Sequence, residues 1–310
     1  MEQQFIPCTE KHIAPELRLA AAANAIDENP VNRPRIERLA LLMDVELTPG
    51  HMALATSKFW RAGTKLGVWF MDSAPLDLQK KILSYANLWN KTADIEFYLT
   101  TTDPMIRVMR DRMEFWSFLG SDLKLIARNQ PTMMLGGFTM QTRESEFERV
   151  VTHEFGHSIG AVHEHMRPEI VARINPEKAI RYFAETQGWS AAQTMQQVLK
   201  PLSESSLTGT ARASQTSIMC YSLPGEITYD GQPIIGGTKI TDEDYEFMGK
   251  ALPKSKPPTP PSPPPNPPAP PQPANLGQAA FTINMDAKTA TVTLPSGWIA
   301  KKASSTVDEL

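Results

Sequence analysis

His153-Glu154-Phe155-Gly156-His157-Ser158-Ile159-Gly160-Ala161-Val162-His163 reads as H-E-x-x-H-x-x-G-x-x-H. Four of the chain's six histidines fall between 153 and 165. His153 and His157 are four apart, so a helix puts both imidazoles on one face, one turn apart, within reach of one ion. Glu154 lies beside them, suited to a water on the ion rather than to the ion itself. His163 cannot come from the same helix. At about 1.5 Å per residue it would sit roughly 15 Å along the axis from His153, whereas zinc takes each nitrogen at about 2.0–2.1 Å. The helix must therefore stop and the chain double back, and Gly160 is the residue that permits this, because glycine enters the left-handed region without steric penalty. A bare H-E-x-x-H arises by chance on the order of once in a hundred chains of this length, and a correctly placed glycine and third histidine make it roughly a thousandfold rarer.

The surrounding residues support a helix over 146–159. Phe147, Val150, Val151, Phe155 and Ile159 recur at helical spacing, and Ser145 with Glu148 is the pattern of a capping box. Downstream, Ser217-Ile218-Met219-Cys220-Tyr221 has no meaning alone, since Met219 and Tyr221 would ordinarily be core residues.

Together these segments resemble the metzincin clan of zinc peptidases, with Ser217–Tyr221 in the place of its methionine turn. Within the clan the resemblance is to the astacin family. It is carried by His163-Glu164-His165-Met166-Arg167-Pro168 and by the Ser-x-Met-x-Tyr turn, although Cys220 stands where that family often has histidine. Trp60–Leu66, Phe115–Gly120 and Pro131–Gly136 resemble further family segments, so the likeness covers about residues 57–252.

The resemblance implies a catalytic Zn2+ ion held by His153, His157 and His163. It implies Glu154 as general base and proton shuttle, and Tyr221 as a phenol close enough to the metal to count in its site and to stabilise an oxyanion. Met219 would form an apolar floor and Glu164 would face a mature N-terminus. The implied fold is α+β: a two-lobed metzincin-type domain with a twisted mixed sheet, long helices and a small irregular C-terminal lobe. The implied activity is zinc-dependent hydrolysis of peptide bonds in a polypeptide substrate. A serralysin-type peptidase shares the zinc helix and the Met-x-Tyr turn but usually carries Gly/Asp-rich calcium repeats, which do not appear here. A zinc-stabilised binding module working through the proline-rich tail is the alternative of another class, and it gives no reason for Glu154. His165 reads as a residue beside the site and not a ligand, His12 and His51 as incidental, and Cys220 as a small buried residue.

Composition bounds the rest. The chain has 310 residues, 41% hydrophobic and 21% charged, which suits one ordinary domain with appendages. A net charge of −3 without a basic cluster gives no electrostatic case for nucleic acid. No apolar run is long enough to span a bilayer, and Met1-Glu2-Gln3-Gln4 does not open a signal peptide. Localisation stays open between the cytoplasm and non-classical export. Two cysteines, Cys8 and Cys220, make no disulfide framework.

Residues 1–55 read as a helical extension, with helices at Pro15–Glu28 and Arg33–Met43, and as a candidate pro-segment. Cys8, Asp27 or Asp44 could cap the metal, thiolate and carboxylate both being able ligands. No pro-segment motif is visible, and packing is the simpler role. Residues 56–252 form the catalytic domain. Its expected elements are a strand at Leu66–Phe70, a helix over Leu76–Ala93, and strands at Asp94–Leu99, Met105–Arg110 and Met133–Phe138, the last taken as the sheet edge above the cleft. Helices follow at Pro176–Gln187 and Ala191–Lys200, and a last one is capped by Thr241. Residues 253–274 are more than half proline and should be extended polyproline II, a stiff spacer or a ligand for a proline-recognition partner. Residues 275–310 alternate like a small β-hairpin.

Overall fold

Leu66, Val68 and Phe70 are buried in a strand, β1 (Thr64–Phe70), around which the sheet assembles. The computed structural model describes residues 8–33, 56–201 and 213–255, with the backbone of two further strands at 280–284 and 289–293. The expected helix Arg33–Met43 and the proline-rich stretch lie outside the described residues.

Before β1 the chain forms a 3-10 turn (Pro15–Leu17) and helix α1 (Arg18–Glu28). After it come α2 (Leu76–Ala86), extended by a 3-10 turn (Asn87–Lys91), and then β2 (Ile95–Leu99), β3 (Ile106–Met109), β4 (Phe115–Ser117) and β5 (Met133–Leu135). The order across the sheet is β2-β1-β3-β5-β4. The first three pairings are parallel, and β4 runs antiparallel to β5. The edge on this side is therefore β4, not the strand expected at Met133–Phe138, of which Met133–Leu135 forms β5. A three-residue strand carries too little alternation to be read as one.

Helix α3 (144–158) crosses the sheet. It consists of an α-turn Glu144–Glu146, a π-helical stretch Phe147–Val151 and a regular α-helix Thr152–Ser158. It begins at Arg143 without a side-chain cap, so Ser145 lies inside the helix and forms no capping box. Phe147, Val150, Val151, Phe155 and Ile159 are all buried, as their spacing predicts. At roughly 1.5–3 kcal/mol for each large apolar side chain, this face alone anchors the helix. Phe97 meets Phe155 edge-on at 4.8 Å between ring centres. Two tryptophans bind its backbone: Trp89 Nε1 donates to the Thr152 carbonyl (2.9 Å) and Trp60 Nε1 to the Ser158 carbonyl (2.8 Å). The second bond satisfies one of the carbonyls that a helix C-terminus leaves without a partner.

Beyond α3 the structure is short helices and loops: α4 (Pro168–Val171), α5 (Pro176–Gln187), α6 (191–199, its second half π-helical) and α7 (Asp242–Ala251). Thr241 caps α7 through a full capping box with Asp244. Met1–Ser255 and Lys256–Leu310 are two separate units of the chain. In the second, β6 (Ala280–Asn284) and β7 (Thr289–Thr293) pair antiparallel, with Phe281 opposite Val292 and Ile283 opposite Ala290. No helix among the described residues is long and apolar enough to cross a membrane.

Candidate metal and active site

The helix ends where the spacing requires. Gly160 has φ +108°, its N–H bonds the His157 carbonyl, and Ala161 N–H reaches back to Gly156 O at 3.0 Å. A Cβ on Gly160 would lie 2.8 Å from the Phe59 ring, so glycine is needed for space as well as for conformation. The reversal returns His163 to the two histidines of α3. The three Nε2 atoms converge, 3.1 Å apart for His153 and His157, 3.2 Å for His153 and His163, and 2.9 Å for His157 and His163.

Proton positions follow from the outer nitrogens. His153 Nδ1 donates to the Ile218 carbonyl and His157 Nδ1 to the Ala161 carbonyl, each at 2.7 Å. A carbonyl can only accept, so Nδ1 carries the proton and Nε2 presents a lone pair. Lone pairs converging at about 3 Å repel unless a cation sits among them. Burial reinforces this by disfavouring imidazolium: it holds His153 and His163 well below the usual histidine range and His157 at about 4. At zinc–nitrogen distances of about 2.05 Å, tetrahedral ligands stand about 3.3 Å apart. The observed spacing fits one zinc ion.

A fourth ligand atom comes from the N-terminal segment. The Cys8 thiol and the three imidazoles offer donor atoms all within 4.8 Å of one another, and all four residues are buried. Thr9 N–H bonds Phe115 O (2.9 Å) and Lys11 N–H bonds Ser117 O (3.3 Å), so residues 8–11 lie as an extra parallel strand along β4. Of the other residues considered for capping the metal, Asp27 is exposed on α1, and Asp44 lies outside the described residues. Cys8 also belongs to the buried hydrophobic core, so the packing role expected of the extension stands beside a place at the metal.

Glu154 and Tyr221 flank the Cys8 thiol. Burial raises the Cys8 pKa, and the nearby Glu154 carboxylate raises it further. Burial pushes Glu154 up to about 8 and Tyr221 well above the phenol range. Among the described residues, both Glu154 oxygens and the Tyr221 hydroxyl are buried with the Cys8 thiol beside them and without a hydrogen bond of ordinary geometry. Buried polar atoms left this way mark a place where a further group binds.

The tyrosine is held by its ring. It stacks on His165 at 4.0 Å and 15° and tilts against His163 at 4.5 Å. His165 is fully buried and bonds the Gln197 carbonyl through Nε2 at 2.9 Å. Met219 lies under α3, where a Cβ on Gly156 would meet its sulfur at 2.7 Å. Cys220 is buried. His12 stands 3.6 Å from Glu10, and His51 lies outside the described residues.

The described fold aligns with a structure of myroilysin at TM-score 0.61 and 27% identity, covering 64% of this chain and 97% of that one. It aligns with another crystal structure of myroilysin at TM-score 0.49 and 26% identity, over 64% and 87%. High choriolytic enzyme 1, a hatching enzyme zinc-protease from the medaka fish Oryzias latipes, aligns at TM-score 0.41 and 17% identity, over 62% and 92%. Myroilysin and the hatching enzyme are astacin-family zinc metallopeptidases. The chain is a zinc metallopeptidase that is similar to the astacin family. No family model matches the sequence, and no curated protein does.

In this astacin-like site Glu164 keeps a place of its own. Its carboxylate accepts the Ser214 N–H at 3.0 Å, stands 3.5 Å from Arg167 Nε, and lines a cavity of about 870 Å³ with Thr56, Ser57, Lys58 and Asp244.

Proposed function

We propose that this zinc metalloendopeptidase is latent in the form seen here, with Glu154 as its base, Tyr221 as its oxyanion donor and Cys8 as the group that silences both. The observation that supports this is the Cys8 thiol, which lies within 4.8 Å of the three histidine donor atoms and beside both Glu154 and Tyr221.

When bound, zinc polarises a carbonyl and lowers the pKa of water to about 7. The chain supplies the rest. Glu154, carried on α3 between two of the histidines, takes a proton from the attacking water and passes it to the leaving amine. Burial suits it to that exchange by raising its pKa to about 8, toward the pH at which a carboxyl can both accept and return a proton. Tyr221, held face to face with His165, donates its hydroxyl to the carbonyl oxygen as charge develops there. Neither can act while Cys8 fills the space between them.

Release requires residues 8–11 to leave β4. A cut within 34–55 would separate them from the catalytic unit. A cut at the end of that stretch would also create an amino terminus at Thr56, beside the cavity that Glu164 lines.

The test compares the intact chain, the chain cut within 34–55, and a cut Glu154→Gln variant. Bound zinc and cleavage of an unstructured protein are measured with and without chelator. The expected result is zinc in all three and chelator-sensitive cleavage by the cut wild-type chain alone. Zinc with no cleavage after removal of the segment would favour a zinc-stabilised binding module instead, and full activity in Glu154→Gln would remove the assigned base.

A further inference from the structure

His163 differs from its two companions in what stands behind it. His153 and His157 each give their Nδ1 proton to a backbone carbonyl of the catalytic unit at 2.7 Å. His163 Nδ1 is buried and meets no such carbonyl among the described residues. The acidic oxygen facing it is Glu10 Oε2, at 3.7 Å. A histidine bound to zinc through Nε2 must carry its proton on Nδ1, and such histidines almost always donate it to a carboxylate, a carbonyl or water.

Glu10 is held where it stands. Its backbone N–H donates to Gln197 Oε1 (3.0 Å), and its carbonyl accepts Gln197 Nε2 (3.2 Å). One glutamine amide thus satisfies both polar groups of the Glu10 backbone, as a neighbouring strand would. Thr9 and Lys11 on either side bond β4. The Gln197 carbonyl in turn accepts from His165, the residue stacked on Tyr221. The side chain is only 8% exposed, so little bulk water competes for His163.

We propose that Glu10 is the outer partner of the His163 ligand, so that the N-terminal segment closes the metal site twice, with Cys8 in front of the ion and Glu10 behind one of its histidines. Glu10 is a positioning residue: it orients the His163 ring and raises the basicity of its metal-facing nitrogen. The ion is then bound more tightly in the latent chain than after the segment departs, beyond the loss of the thiolate itself. The inference rests on the proposed zinc site.

The test is competition for zinc between the full chain and a chromogenic chelator, in wild type, Cys8→Ser, Glu10→Ala, Glu10→Gln and the Cys8→Ser/Glu10→Ala double variant. Outer-partner losses weaken metal binding about 10- to 100-fold. Glu10→Ala should raise the zinc Kd about tenfold or more, both alone and on top of Cys8→Ser. Glu10→Gln, which keeps an acceptor oxygen without the charge, should fall between wild type and Glu10→Ala. Thermal melting of the metal-free chains separates positioning from folding, and Glu10→Ala should leave it unchanged. A double variant with a Kd within twofold of Cys8→Ser would overturn the proposal, as would a metal-free melting temperature lowered as far as that of the loaded chain. A wild-type chain that binds no zinc would instead overturn the site on which the inference stands.

Discussion

Asp244 accepts the Ile218 N–H at 3.0 Å, and the carbonyl of that same Ile218 accepts the His153 imidazole. The N-cap region of α7 is thereby tied through one residue to the first zinc-site histidine. The Asp244 carboxylate also takes Ser217 Oγ (2.5 Å), Thr241 N (2.9 Å) and Thr241 Oγ (2.8 Å). Hydrogen bonds to a charged group contribute about 1.5–3 kcal/mol each, and buried donors left alone add to the loss. Asp244→Ala should therefore lower unfolding stability by about 3 kcal/mol or more and loosen the methionine turn. Denaturant melts and zinc titration check it, and a stable variant with wild-type zinc affinity would show that the tie to His153 is idle.

Gly160 should tolerate no side chain. An alanine at φ +108° costs about 1–3 kcal/mol in backbone strain, and its Cβ would press on Phe59. Since this turn is what returns His163 to the site, Gly160→Ala should lose zinc as well as stability. Metal content after gel filtration is the direct measurement.

Acid should remove the metal late. Burial lowers the folded pKa of His157 to about 4, with His153 and His163 also held well below 6.5. A depressed histidine pKa means that the unfolded chain binds the proton first. The stability this contributes is present above pH 6.5 and is lost as pH falls toward 4. In the same window the folded imidazoles stay neutral and able to bind a metal. Zinc retained on dialysis should hold at pH 5.5 and fall between about 5 and 4. Loss centred at pH 6.5 would contradict the burial argument.

The N-terminal segment should also loosen from its far end. Asn32 is buried and makes three backbone bonds, from Nδ2 to Ala25 O (2.8 Å) and Phe59 O (2.7 Å), and from Phe59 N–H to Oδ1 (2.8 Å). Nearby, Asn29 bonds Trp60 O, and Glu28 pairs with Lys124. Asn32→Ala should weaken docking by about 2–4 kcal/mol. Cobalt substituted for zinc would report it: the thiolate-to-cobalt absorption of Cys8 should diminish. An unchanged band in a folded Asn32→Ala chain would show that the metal end holds the segment unaided.

Much of this arrangement was legible in the chain because it rests on spacing. His153, His157, Gly160 and His163 could be placed from helix rise alone, and α5 falls on the predicted Pro176–Gln187. The capping box of Thr241 was likewise visible, whereas that of Ser145 was not real, because α3 starts earlier at Glu144. The π-helical stretch Phe147–Val151 left no trace, since one extra residue per turn barely disturbs an apolar face. The edge role of β4 and the position of Cys8 depend on contacts between distant segments, which local pattern does not encode. A thiol without a disulfide partner in an extension was the one available hint. Glu10 had none.

Residues 8–11 cover the strand at which the sheet would otherwise end. An uncovered strand carries a row of free N–H and C=O groups, and any extended chain can pair with them, another copy of the same protein included. The segment proposed to block the metal would therefore also keep molecules from pairing edge to edge. On the proposed reading its removal would open the catalytic cleft and, in the same act, a strand edge for which peptide substrate and sister molecules would compete.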